Sequence, residues 1–251
     1  SGASHLSLVL GAVGLLRSGA IALDEIFFQQ ALVVPAEGCH VQLGIGAENG
    51  DARPFELVSS PESATHVTGR VLGVAPSPPA LADGGVEAVW GRCPQRLTAA
   101  EVYQVQLDRH IALGPSYRWL AEVGRGDGEA ICRIERPDAA ADASEYQLPP
   151  GLLDACFGLL AVSVDLAVSD TFIPFSIEAL HFYQRPRDFP LHAHLRLRAT
   201  SQGDDPVGEI QLIDARGAVV AEFQGISGRR ATREQLREIG RAKIDDWLYA
   251  P

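Results

Sequence analysis

Residues 5–18, HLSLVLGAVGLLRS, are apolar on nearly every face of a helix, and so are residues 151–168, GLLDACFGLLAVSVDLAV. A surface helix carries one apolar stripe, so segments lacking a polar face predict helices enclosed by other structure. Each segment is followed by runs that alternate or are rich in β-branched residues, the pattern of strands. After the first come EIFFQQALVV, HVQLGIG and THVTGRVLGV; after the second come FSIEALHFY, LHAHLRLRAT, GEIQLIDA and AVVAEFQGIS. One theme is thus stated twice. Between the two statements lies APSPPALADGGVEAVW, whose Pro, Gly and Ala content reads as a linker. The pattern divides the chain into residues 1–78, a linker over 79–98, residues 99–228, and a charged amphipathic helix with its exit over 229–251.

The architecture expected from this is α+β, a double hot-dog in which two curved antiparallel sheets are each wrapped round a long apolar helix. The first helix opens the sequence, so the N-terminal hot-dog is expected to lack its first strands. The absence of methionine adds the expectation of a segment from a longer polypeptide. A formal net charge of −11 argues against nucleic acid or an anionic membrane as partner, since both reward clustered Lys and Arg. Cys39, Cys93, Cys132 and Cys156 are far apart, with no C-x-x-C pair, and read as reduced and cytoplasmic. No run reaches the roughly 18 apolar residues of a membrane span.

One residue disturbs the second apolar helix. Asp154 is the only acid in YQLPPGLLDACFGLL. A lone ionised carboxylate there is costly unless it is paired or its pKa rises. Either a helix edge tolerates it in water, or a site uses it.

GLLDACFGLL, LGPSYRWLAEV (113–123), GDGEAICRI (126–134) and the opening SGASHLSLVLGA together resemble the dehydratase domains of type I modular polyketide synthases, over essentially the whole chain. The closing IDDWLY is similar to the passage toward the ketoreductase region that follows such domains. The resemblance implies the double hot-dog, a substrate delivered as a thioester on an acyl carrier protein, neighbouring synthase domains, a homodimer, and a catalytic His–Asp pair with neither metal nor organic cofactor. It aligns Asp154 with the Asp of the motif H-P-x-L-L-D-x-x-x-Q, or the same ending in His. Pro150, which keeps the turn into the helix, Leu153 and Gly158 are then expected beside the substrate.

Departures from the family pattern are informative. The motif's leading His is Pro149 here, and its closing Gln or His is Gly158. Residues four apart share a helix face, so a side chain at 158 would orient Asp154, and Gly cannot. Ser1 falls on the final Pro of the first motif, H-x-x-x-G-x-x-x-x-P, whose His is expected nine positions before Ser1. Loss of that Pro together with loss of the Gln or His after the Asp is the pattern of pyran synthase domains. These close a tetrahydropyran by intramolecular oxa-Michael addition of a hydroxyl to an α,β-unsaturated thioester. Ordinary loss of water from a β-hydroxyacyl thioester is the rival reaction, since one acid–base pair serves either. A silent structural domain is the rival from another class, and a double-bond isomerase would be better supported by loss of the Asp.

Further candidates come from the turn at Gly114 and Pro115, similar to the family's G-Y-x-Y-G-P-x-F segment and so expected to touch substrate. His110 stands near that pattern's first Gly, Leu113 replaces its second Tyr, and Tyr117 reads as core. His192 and His194 share one strand face by the period of two, and alternation with Leu predicts that this face is exposed. His5, on the first buried helix, is a candidate replacement base, although the resemblance places it after the first motif, and His40, His66 and His181 read as structural strand histidines. Arg229, Arg230, Arg233, Arg237 and Arg241 form a basic cluster in an acidic chain. They read either as a docking patch for the acidic carrier protein or as a solvated helix with pairs to Glu234 and Glu238.

Overall fold

The computed structural model describes residues 1–60, 63–81, 84–109, 111–164, 170–199 and 205–232. In chain order its elements are α1 (Gly2–Leu16), β1 (Ile21–Phe28), β2 (His40–Ile45), β3 (Ala52–Ser60), β4 (Ala64–Leu72), α2 (Val86–Arg92), β5 (Gln95–Thr98) and α3 (Ala99–Asp108). A 3-10 turn (Pro115–Tyr117), β6 (Leu120–Arg125), β7 (Glu129–Ile134) and a 3-10 stretch (Asp138–Glu145) lead to α4 (Pro150–Val162). Then come β8 (Asp170–Phe182), β9 (Leu191–Leu197), β10 (Val207–Ile213) and β11 (Val219–Thr232).

The strands form one antiparallel sheet rather than the two that the repeat predicts. Its order is β2-β3-β4-β1-β8-β11-β10-β9-β7-β6-β5, 11 strands among the described residues. The junction is β1 against β8, paired from Ile21↔Phe182 to Phe27↔Ser176. Each is the first strand after a long helix, so joining them removes an open edge from each half. The expected linker over 79–98 also differs. It contains α2, and β5 closes one end of the sheet by pairing Leu97 with Val123 of β6.

α1 packs on β1 and β4, α4 packs on β7 to β10, and the two helices touch, so both lie on one face of the sheet. Ala3, Leu6, Leu10, Leu152, Cys156 and Leu159 are fully enclosed, as helices without a polar face require. Ser7 meets its buried hydroxyl's need by donating from Oγ to Leu148 O at 2.8 Å, which ties α1 to the entry of α4. The last turn of α1 departs from full enclosure, with Leu15 and Leu16 exposed. No helix among the described residues is long and apolar enough to cross a membrane.

α2 accounts for the failure of alternation at β9. It lies against the opposite face of the sheet, where Val89 and Cys93 pack on Ile131 and Trp90 meets His192 edge-on at 6.3 Å. His194 is therefore buried instead of exposed, and its Nε2 lies 3.0 Å from Glu129 Oε2. Glu129 in turn accepts two bonds from Arg92, at 2.7 and 3.0 Å, so the pair is neutralised by a third group.

Two glycines of α4 have opposite reasons. A Cβ at Gly151 would lie 2.2 Å from Trp119 Nε1 and 2.6 Å from Ser116 O, in the way of the 2.8 Å bond between those atoms. A Cβ at Gly158 would meet only Gln106 Nε2 within 4 Å, at 3.4 Å. Gly151→Ala is expected to destabilise the fold by about 1–3 kcal/mol through overpacking. Gly158→Ala is expected to be neutral or to stabilise by up to about 1 kcal/mol through helix propensity. Chemical denaturation of the two variants checks the contrast.

Candidate functional site

A cavity of about 340 Å³ opens where the two halves meet. α1 contributes Gly2 and His5 beside the capping Ser1, α4 contributes Asp154, Phe157 and Gly158, and α3 contributes Val102, Val105 and Gln106. Phe28 of β1, Ile173 to Phe175 of β8, and Ile226 to Arg229 of β11 also line it. Phe157 anchors the apolar side, its ring edge-on to Phe28 at 6.4 Å and to Phe223 at 5.9 Å.

Asp154 sits on this wall and answers the question its sequence context raises. It is half-buried, its open surface turned to the cavity between the enclosed Leu153 and Ala155. Burial pushes its carboxyl up to about 6 from 3.8, because an apolar wall solvates the charged form poorly. A group with that pKa exchanges a proton readily near neutral pH, which is what general acid–base work needs.

Ser1 and Gly158, one departure from each family motif, line the same cavity as Asp154. Ser1 Oγ accepts from Ser4 N at 3.3 Å as the cap of α1. The remaining substrate-contact candidates take other places. Leu153 is fully enclosed, Pro150 occupies the first turn of α4, and neither is among the residues lining the cavity. Gly114 and Pro115 lie exposed at the 3-10 turn, and it is Leu113 that reaches the wall. Tyr117 is half-buried, its hydroxyl 2.7 Å from Ser4 Oγ.

The histidines separate clearly. His5 lines the cavity with both ring nitrogens buried and unpartnered, and burial lowers its pKa to about 3, leaving a weak base. His66, 5.7 Å away between ring centres, is held by Gln30 O at 3.2 Å and Ser59 Oγ at 2.9 Å. His181 packs beside Glu222, with Nδ1 to Oε2 at 3.7 Å, and His40 is exposed on the edge strand β2. Of the arginine cluster, Arg229 reaches the cavity and lies 3.6 Å over the Phe175 ring. Arg233, Arg237 and Arg241, with Glu234 and Glu238, fall outside the described residues, as does His110.

Sequence reasoning missed α3 and with it Gln106. The signal was present in Thr98-Ala99-Ala100-Glu101, a capping box in which Thr98 Oγ1 accepts from Glu101 N at 3.3 Å and Glu101 Oε2 accepts from Thr98 N at 2.7 Å.

A family model described as polyketide synthase dehydratase N-terminal domain matches residues 82–238. The chain is 27% identical over 248 residues to polyketide synthase ThaG of Burkholderia thailandensis, covering 89% of this chain and 4% of that protein. It is 32% identical over 152 residues to polyketide synthase GfsB of Streptomyces halstedii, covering 53% of this chain and 2% of that one. The chain therefore spans a small fraction of the curated relatives it matches. Among solved structures, the dehydratase domain from the CurJ module of curacin polyketide synthase superposes with a TM-score of 0.83 at 34% identity, over 93% of this chain and 83% of that one. The corresponding CurF domain, at 22% identity and a TM-score of 0.81 over 91% and 84% of the two chains, shares the hot-dog-like fold with its large antiparallel sheet.

The raised carboxyl has a stability consequence. A folded-state pKa near 6 against 3.8 means the native state favours the proton. The associated stability is fully present below the lower value and lost as pH rises through the upper one. Asp154→Asn removes this dependence. The variant is expected to match the parent near pH 4 and to exceed it by up to about 2 kcal/mol near pH 8, discounting for the carboxyl's partial exposure. Urea unfolding at the two pH values checks the sign.

Proposed function

This chain belongs to the polyketide synthase dehydratase family, and on that premise we propose that it acts on an acyl chain carried as a thioester by an acyl carrier protein and closes a tetrahydropyran ring. The observation that carries the proposal is that Ser1 and Gly158, two departures from the family pattern, line one cavity with Asp154. Gly158 leaves that cavity wider and leaves Asp154 without a side chain one turn along to constrain it.

The reaction is the addition counterpart of dehydration. In dehydration a base takes the α-proton and an acid protonates the departing β-hydroxyl. In ring closure the same two groups work in reverse on a different oxygen. Asp154, ionised, takes the proton of the incoming hydroxyl as its oxygen bonds to the β-carbon. The partner His, expected upstream of Ser1, delivers a proton to the α-carbon. No atom is lost, so substrate and product are isomers. Folding the chain so that the hydroxyl meets the β-carbon supplies much of the rate, because oriented intramolecular reactions have effective molarities on the order of 10⁵–10⁸ M. An apolar wall suits that folded chain.

Dehydration of a β-hydroxyacyl thioester is the second reading, favoured by the 34% identity to the CurJ dehydratase domain. Mass spectrometry separates the two, using the polypeptide extended upstream through the expected His and two synthetic thioesters. One carries a β-hydroxyl, the other an α,β-double bond and a hydroxyl placed for six-membered closure. Ring closure is expected to leave the mass of the second unchanged with a shifted retention time. Loss of water from the first with no change in the second would establish dehydration instead. Asp154→Ala is expected to lower the observed rate by about 10²- to 10⁴-fold; an unaffected rate would remove Asp154 from the chemistry, and inactivity of the parent on both substrates would favour a structural role.

A further inference from the structure

We propose that Gln106 is a specificity-determining residue that holds a hydroxyl of the acyl chain within the cavity, an assignment that rests on the carrier-bound acyl substrate proposed above. Gln106 belongs to α3, whose position is fixed by its capping box, by the enclosed Val102, and by the bond that Tyr103 Oη accepts from Leu120 N at 2.8 Å. Val102, Val105 and Gln106 share one helix face and all three line the cavity. Two of them are apolar; Gln106 brings an amide.

That amide is incomplete. Its Oε1 is buried and has no hydrogen-bond partner in the protein. Leaving a buried acceptor unsatisfied is unfavourable, and a turn of the amide toward the cavity that its side chain lines lets a hydroxylated ligand remove the deficit on binding. The amide also has a definite place. Its Nε2 stands 3.4 Å from where a Cβ on Gly158 would be, over the turn of α4 that follows Asp154. The side chain from α3 thus stands beside the space left open at Gly158, within van der Waals reach of where a Cβ would lie.

A hydroxyl fits this arrangement better than a carbonyl or a charged group. It donates to Oε1, which a carbonyl cannot do, and it crosses an apolar tunnel at lower cost than a charge. The amide selects and parks the hydroxyl, and the carboxylate takes its proton.

Binding without turnover tests this. The probes are two saturated pantetheine amides, one octanoyl and one hydroxyoctanoyl with its hydroxyl on the carbon that closes a six-membered ring, titrated calorimetrically into the upstream-extended polypeptide. The parent is expected to bind the hydroxylated probe about fivefold more tightly, the effect of one neutral hydrogen bond. Gln106→Met, close in shape but with only a weak thioether acceptor, is expected to bring affinity for the hydroxylated probe down to that for octanoyl. Gln106→Leu serves in its place if Met disturbs folding. A preference that survives the substitution overturns the assignment, as do equal affinities in the parent. Equal loss of both probes in the variant overturns it in favour of a contact to the pantetheine arm. Failure of the parent to bind either probe overturns the carrier-bound acyl substrate itself, a result distinct from equal binding of both.

Discussion

Pairing of β1 with β8, from Ile21↔Phe182 to Phe27↔Ser176, holds the two halves of the chain in one register, and the site follows from that register. It makes one sheet of two, and thereby places α1 and α4 side by side on the same face. Neither helix has a polar face, so each needs the other as cover. The cavity lies where that cover is incomplete, between the first turn of α1, the middle of α4 and the ends of β8 and β11. A shift of one residue in the β1–β8 register would turn alternate side chains of both strands to the opposite face and dismantle the wall.

Within this frame the chemistry rests on contrast. A carboxyl in water is ionised at neutral pH and has little reason to take a proton. Asp154, set in an apolar wall with a pKa near 6, does. The same desolvation acts oppositely on His5, holding it near 3 and keeping it neutral. Asp154 and His5, in one cavity, are thus pushed in different directions by one cause. The neutral amide of Gln106 adds polarity without adding charge, so it does not disturb that balance.

Much of this is legible in the residues, for identifiable reasons. α1 and α4 are readable because a helix that is apolar on every face is stable in water only when other structure encloses it, and Asp154 stands out as the one charge within α4. The single sheet is not readable, since β1 and β8 are separated by most of the chain and local alternation carries no information about which strands pair. β9 misleads for a related reason. Alternation marks two different faces of a strand, and only the packing of Trp90 and α2 makes the second face internal. Gly114 and Pro115 are placed in the site by resemblance to a turn, yet the turn projects outward and it is Leu113 that reaches the cavity wall. Gln106 is lost in a region that follows an expected connector, although the capping box at Thr98 announces its helix.

The central claim is that a proton held by the protein reaches the α-carbon as the ring closes, and turnover of the unsaturated hydroxy-thioester in deuterium oxide tests it most directly. The account expects a tetrahydropyran product carrying one deuterium at the α-carbon in a single configuration, as a fixed donor requires. A ring product with deuterium scrambled between both α-positions, formed at the rate seen without protein, would contradict it.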